Sequence, residues 1–121
     1  MQTLFGIPNC DTVKKSRAWL DANGLAYQFH DFKKQGVSAG LLDDWIAALG
    51  WEALVNKKGT TWRKLALAEQ AAVADAVSAK ALMLREASVI KRPVVVHTDA
   101  GGAVHATVGF SPQVWACWLS S

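Results

Sequence analysis

At 121 residues the chain has the length of one domain and is too short for two ordinary ones. Hydrophobic residues make up 51% and charged residues 19%, a core-forming balance that excludes an intrinsically disordered chain. The net charge of +3 comes from basic residues scattered along the chain, which gives no concentrated footprint for direct nucleic-acid binding.

No stretch approaches the roughly 20 apolar residues of a membrane-spanning helix, and Met1-Gln2-Thr3-Leu4-Phe5 lacks the basic n-region of a signal peptide. Six tryptophans predict either a tight core or an aromatic contact surface. The two cysteines, Cys10 and Cys117, lie far apart and form neither a CxxC pair nor a zinc-ligand cluster. The expectation is therefore a cytoplasmic protein with reduced thiols, no metal and no membrane association.

Thr3-Leu4-Phe5-Gly6-Ile7, an apolar run stopped by Pro8, predicts a buried strand. A turn over Pro8–Asp11 leads into a helix over Thr12–Ala22, which Asn23-Gly24 closes. Val13 and Leu20 share its inner face, while Lys14, Lys15 and Arg17 point outward. Tyr27 and Phe29 alternate with Gln28 and His30 as a second strand. Strand, helix and strand in this order predict a βαβ unit with parallel strands.

Ser38 is placed to cap a helix whose stripe is Leu41, Leu42, Trp45, Ile46 and Leu49, closed by Gly50. A polar loop over Asn56–Thr61 leads to Trp62-Arg63-Lys64-Leu65, and the alanine-rich span Glu69–Glu86 predicts two short helices. Residues 38–86 thus read as a helical block inserted into a sheet. Pro93-Val94-Val95-Val96 and Ala103–Val108 form a hairpin around Asp99-Ala100-Gly101-Gly102. Ser111 and Pro112 supply the cap and first position of a terminal helix with the buried stripe Val114, Trp115, Trp118 and Leu119. The order βαβ, helices, ββα predicts one domain over residues 1–121.

Cys10 is the sharpest chemical feature. A cysteine in the turn that opens a helix faces unpaired N–H groups and the positive end of the helix dipole. Both favour thiolate, the reactive form. Lys14 and Lys15 add favourable potential and Asp11 opposes it; the alternative is a packed, inert cysteine. Arg92 is suited to hold an anion bidentately or is a surface charge, and Pro93 is a strand-opening residue. The loop over residues 56–63 reads either as an anion-binding edge built on Lys57, Lys58 and Arg63 or as a plain loop and cap. It lacks the second glycine of a P-loop. His30, His97 and His105 are structural; Cys117 is a packed residue, or a resolving thiol if the fold brings it to Cys10.

Three blocks, Gly6-Ile7-Pro8-Asn9-Cys10-Asp11-Thr12, Asn56-Lys57-Lys58-Gly59-Thr60-Thr61-Trp62-Arg63-Lys64 and Ile90-Lys91-Arg92-Pro93-Val94-Val95, together resemble the ArsC-like family. That family holds glutaredoxin-linked arsenate reductases, Spx regulators and YffB-type proteins, and the likeness spans nearly the whole chain. It implies an α/β, thioredoxin-like (glutaredoxin-like) mixed sheet with a helical insertion between the βαβ and ββα halves. It also implies that Cys10 is the catalytic thiol and that Pro93 is a cis-proline facing it. Arg92, Lys14, Arg63 and Thr12 are then the ligands of substrate or glutathione.

The resemblance to arsenate reductases is incomplete, because Asn56 and the segment Val108–Pro112 stand where that branch has further arginines. The second cysteine of the Spx-type CxxC is absent too, since Cys10-Asp11-Thr12 is followed by Val13. The block Gly59–Lys64 is most similar to the YffB-type branch, which implies a monothiol reductase using glutathione as co-substrate rather than a bound cofactor. The alternative is an Spx-like protein that binds RNA polymerase or another partner.

Overall fold

Leu4 and Val95 sit opposite each other on the two central strands of a four-stranded mixed sheet, and both are fully buried. The computed structural model describes residues 2–120. Two compact units divide the chain: Met1–Gln35 with Arg92–Ser121, and Gly36–Lys91.

In the first unit, β1 (Gln2–Gly6) leads to α1 (Asp11–Ala22), β2 (Tyr27–Asp31) and the short α2 (Phe32–Gln35). The chain returns as β3 (Val94–Thr98) and β4 (Val104–Val108), completing the sheet order β2-β1-β3-β4. β1 runs parallel to β2 and antiparallel to β3, and β4 is antiparallel to β3. A βαβ half joined to a ββα half on one mixed sheet is the thioredoxin-like arrangement.

Burial explains why α1 lies where it does. Val13, Ser16 and Leu20 form its inner face and meet Leu4, Val95, Trp115 and Trp118. The one polar member, Ser16, donates its hydroxyl to the Thr12 carbonyl at 2.7 Å, so its burial leaves no unmet donor. Gly6 ends β1 against this helix: a Cβ there would lie 2.8 Å from Val13 Cγ2, closer than side chains pack. Only glycine lets strand and helix approach this closely.

The strand β1 begins one residue earlier than the apolar run suggests. Gln2 is buried because its Nε2 donates to the Ala26 carbonyl at 2.8 Å while its Oε1 accepts from His97 Nδ1 at 2.7 Å.

The last helix departs from its expected pattern. α8 (Pro112–Cys117) stops before Trp118, and Trp118–Ser120 continues as a 3₁₀ turn. That change of pitch breaks the expected stripe: Trp115 and Trp118 are buried, whereas Val114 and Leu119 are 46% and 47% exposed. Cys117, expected to be packed, is exposed: it lies within α8, two residues and so about 200° of helix round from the buried Trp115. Pro112 does open the helix, but Ser111 makes no side-chain cap; its hydroxyl donates to the Gly109 carbonyl at 3.3 Å. Trp115 anchors the helix by donating Nε1–H to Thr107 Oγ1 at 2.8 Å.

The second unit is helical: α3 (Ala39–Leu49), α4 (Trp51–Leu54), α5 (Thr60–Arg63), α6 (Leu67–Ala72) and α7 (Ala76–Arg85), then a 3₁₀ turn over Ala87–Val89. Ser38 caps α3, its hydroxyl accepting from the Leu41 amide at 3.2 Å. Asp75 and Ser78 form a reciprocal capping box at the start of α7. An antiparallel bridge between Val55 and Ile90 ties the residue that follows α4 to the end of this unit. Among the described residues no helix is long and apolar enough to cross a membrane.

Candidate functional site

Cys10 occupies the N-cap position of α1 with extended backbone angles, φ −134° and ψ 125°. Its carbonyl accepts the first helical bond, from the Lys14 amide at 2.9 Å. No side-chain oxygen caps this helix. The amides of the first turn, which have no partner inside the helix, are therefore left to the sulfur.

Sheet geometry brings the second component. Phe5 pairs with Val94, so the residues just before β3 lie beyond the end of β1, beside the turn that carries Cys10. The Arg92 guanidinium accordingly hydrogen-bonds the Cys10 sulfur. The Arg92–Pro93 peptide bond is cis, and the Pro93 carbonyl accepts from the Gly109 amide at 2.9 Å.

Several influences compete over the acidity of this thiol. Partial burial acts most strongly and pushes its pKa up. The Val13 amide, the hydrogen bond and charge of Arg92 and the Thr12 amide all act the other way, and together they hold the thiol below its ordinary value. Cys10 is half-buried against Leu4, Val13 and their neighbours, with its backbone fixed by β1 on one side and α1 on the other.

The family model for the ArsC family matches residues 5–117, a span that includes Cys10, Arg92 and Pro93. The chain belongs to the ArsC family. It is similar to the solved structure of the YffB (PA3664) protein, with 42% identity, a TM-score of 0.88 and coverage of 98% of this chain and 99% of that one. It is also similar to an arsenate reductase (ArsC) related protein from Brucella melitensis, at 42% identity and a TM-score of 0.70, covering 99% of this chain and 95% of that one. An uncharacterized protein of Haemophilus influenzae is 35% identical over 113 residues, covering 93% of this chain and 94% of that one.

In this ArsC-family protein the first unit gathers Cys10, Thr12 and Arg92, with Pro93 adjoining. Thr12 contributes its backbone amide; its carbonyl is taken by Ser16. Lys14 is exposed on α1. Arg63 is exposed in the last turn of α5, in the second unit. There Asn56 Oδ1 accepts from the Lys58 amide at 3.2 Å, so that side chain serves its own turn. Lys57 lies over the rings of Trp51 and Trp62, at 5.8 and 5.5 Å from their centroids.

Sequence reasoning passed over Phe110, which packs edge-on against Trp115 at 5.6 Å and lies beside the cluster holding Cys10. The three histidines sit in strands: His30 against Phe5, His97 bonded to Gln2, and His105 bonded to Asp99 Oδ2 at 3.0 Å. Among the described residues no three His, Cys, Asp or Glu side chains converge on a possible metal position. A shallow cleft lined by Gln2, His97, Asp99 and Trp118 lies at the other end of β1 from the thiol.

Proposed function

We propose that this protein is a monothiol reductase acting through the Cys10 thiolate, with glutathione as its co-substrate. The observation that carries the reading is the convergence of the Val13 and Thr12 amides and the Arg92 guanidinium on one half-buried sulfur. Cys10 thiolate attacks one sulfur of a disulfide; the Cys10–substrate bond forms, the old disulfide bond breaks, and the other sulfur leaves as a thiolate. Glutathione thiolate then attacks the substrate sulfur of the mixed disulfide, releasing Cys10 as a thiolate and leaving a glutathione–substrate disulfide. From this a second glutathione thiolate frees the substrate thiolate as oxidised glutathione forms. The electron pair consumed in each cycle thus comes from thiol oxidised to disulfide.

Resolution by an external thiol fits the environment of the first turn. Val13, at the position of the second cysteine in a CxxC, is a fully buried member of the core. Arg92 stabilises the attacking thiolate and the leaving one through a charge-assisted hydrogen bond. The Pro93 carbonyl is held by Gly109, which fixes the backbone beside Arg92.

The test is pH-dependent alkylation of the Cys117→Ala protein, followed by mass spectrometry after exposure to oxidised glutathione. The expected outcome is half-maximal alkylation below the free-thiol value of about 8.5 and a single glutathione adduct on Cys10. An ordinary titration with no adduct removes the reductase reading and favours a protein-binding role.

A further inference from the structure

On α1 an ion pair is available four residues apart, between Asp11 and Lys15, in the spacing at which helix side chains meet. The structure does not use it. Lys15 Nζ instead lies 4.4 Å from the centroid of the Phe110 ring, within cation–π distance. Among the described residues neither Lys15 nor Asp11 makes an ion pair. An aromatic face holds a cation in place without neutralising it or occupying its N–H donors.

That ring is fixed to the thiol centre from behind. Phe110 follows Gly109, whose amide is bonded to the Pro93 carbonyl, and Pro93 follows the Arg92 that touches Cys10. Phe110 is also braced by Trp115 and by the cluster against which Cys10 packs. The connection runs from Cys10 through Arg92, Pro93 and Gly109 to Phe110, and through Lys15 back into the helix that Cys10 opens.

We infer that Lys15, presented by Phe110, is the binding residue for a carboxylate carried by the thiol or disulfide substrate at Cys10. This inference rests on the reductase reading and assigns its substrate class: carboxylate-bearing thiols such as glutathione, in preference to neutral ones. Reach agrees with that class. Five residues of helix place Lys15 roughly 7 Å beyond Cys10 along the axis, and an extended peptide advances about 3.3–3.6 Å per residue. A cysteinyl tripeptide joined to Cys10 therefore brings a terminal carboxylate to Lys15, whereas a two-carbon neutral disulfide has no group to offer it. Arg92 acts at the sulfur; Lys15 acts on the rest of the substrate.

The experiment compares single-turnover formation of the Cys10 mixed disulfide with oxidised glutathione and with bis(2-hydroxyethyl) disulfide, in the Cys117→Ala background. Lys15→Gln is expected to slow the reaction with oxidised glutathione about fivefold, the scale of one exposed charge pair, and to leave the neutral disulfide unchanged. Lys15→Arg is expected to retain the preference, and Phe110→Leu to lose part of it with Lys15 intact. Lys33→Gln removes the same charge from an exposed site on α2 and is expected to change neither rate.

Equal slowing of both disulfides by Lys15→Gln, or no slowing of either, overturns this inference while leaving the reductase reading in place. A wild-type protein that reacts with neither disulfide overturns both.

Discussion

The helices α1 and α7 begin in opposite ways. At α7 the Asp75 carboxylate accepts from the Ser78 amide, and the Ser78 hydroxyl oxygen accepts from the Asp75 amide. At α1 the N-cap is a cysteine, and no side-chain hydrogen bond caps the first turn. The amides that stabilise a helix start in one place lower the pKa of a thiol in the other. Both groups titrate accordingly: the Ser78 amide draws the Asp75 pKa down, and the Val13 and Thr12 amides with Arg92 draw down that of Cys10 against its burial. A thiol cap thus forgoes the stabilisation that an ordinary one provides.

The largest test of this contrast is Cys10→Ser. In the Cys117→Ala background it is expected to abolish the glutathione adduct in mass spectrometry while making the fold no less stable, with a gain of up to about 1 kcal/mol in denaturant unfolding from a better cap. A large loss of stability would show that the sulfur packs more than it reacts. Trp115→Ala is expected to cost about 3–5 kcal/mol, because it removes a fully buried ring and leaves Thr107 without its Nε1–H donor. Calorimetry would register that as a marked fall in Tm.

Arg92→Ala should raise the alkylation midpoint of Cys10, since the guanidinium supplies both a hydrogen bond and charge to the thiolate. Below that midpoint the reactive fraction at neutral pH falls, and adduct formation slows with it. Ser38→Ala removes a cap that serves structure alone and is expected to cost about 1 kcal/mol, with no change in Cys10 alkylation. Smallest is the pH response at Asp75. Its carboxyl is depressed in the folded state, so its contribution is present above the unfolded pKa and is lost as pH falls through the folded one. Hydrogen exchange at the start of α7 would detect that loss.

What could be read beforehand follows the range of the interactions involved. The place of Cys10 was legible because a strand, Pro8 and a helix-forming stretch lie within a dozen residues of one another. Ser38 was legible for the same reason, its cap and apolar stripe being neighbours in sequence. The position of Arg92 rested on family resemblance, because only the register of β3 on β1 brings it to the thiol. Lys15 was read as an outward-facing charge. Its contact is made by Phe110 from the far end of the chain. The errors at Val114 and Leu119 share one source: an α-helical period was carried past the point where the backbone tightens into a 3₁₀ turn, whereas Cys117 lies before that point, on the face of α8 away from Trp115. Periodicity reports a face only while the pitch holds.

The glycine at the end of β1 couples fold to reactivity. Val13 lends its amide to the Cys10 thiolate and its side chain to the wall that leaves no room for a Cβ at residue 6. One residue therefore sets both a steric clearance and an acid–base property. A single added methyl, Gly6→Ala, must displace Val13 or the strand end, and with it the amide that faces the sulfur. Position 6 is in effect a mechanical adjustment on a chemical group: a change in packing there is read out four residues later as a change in how readily the cysteine gives up its proton.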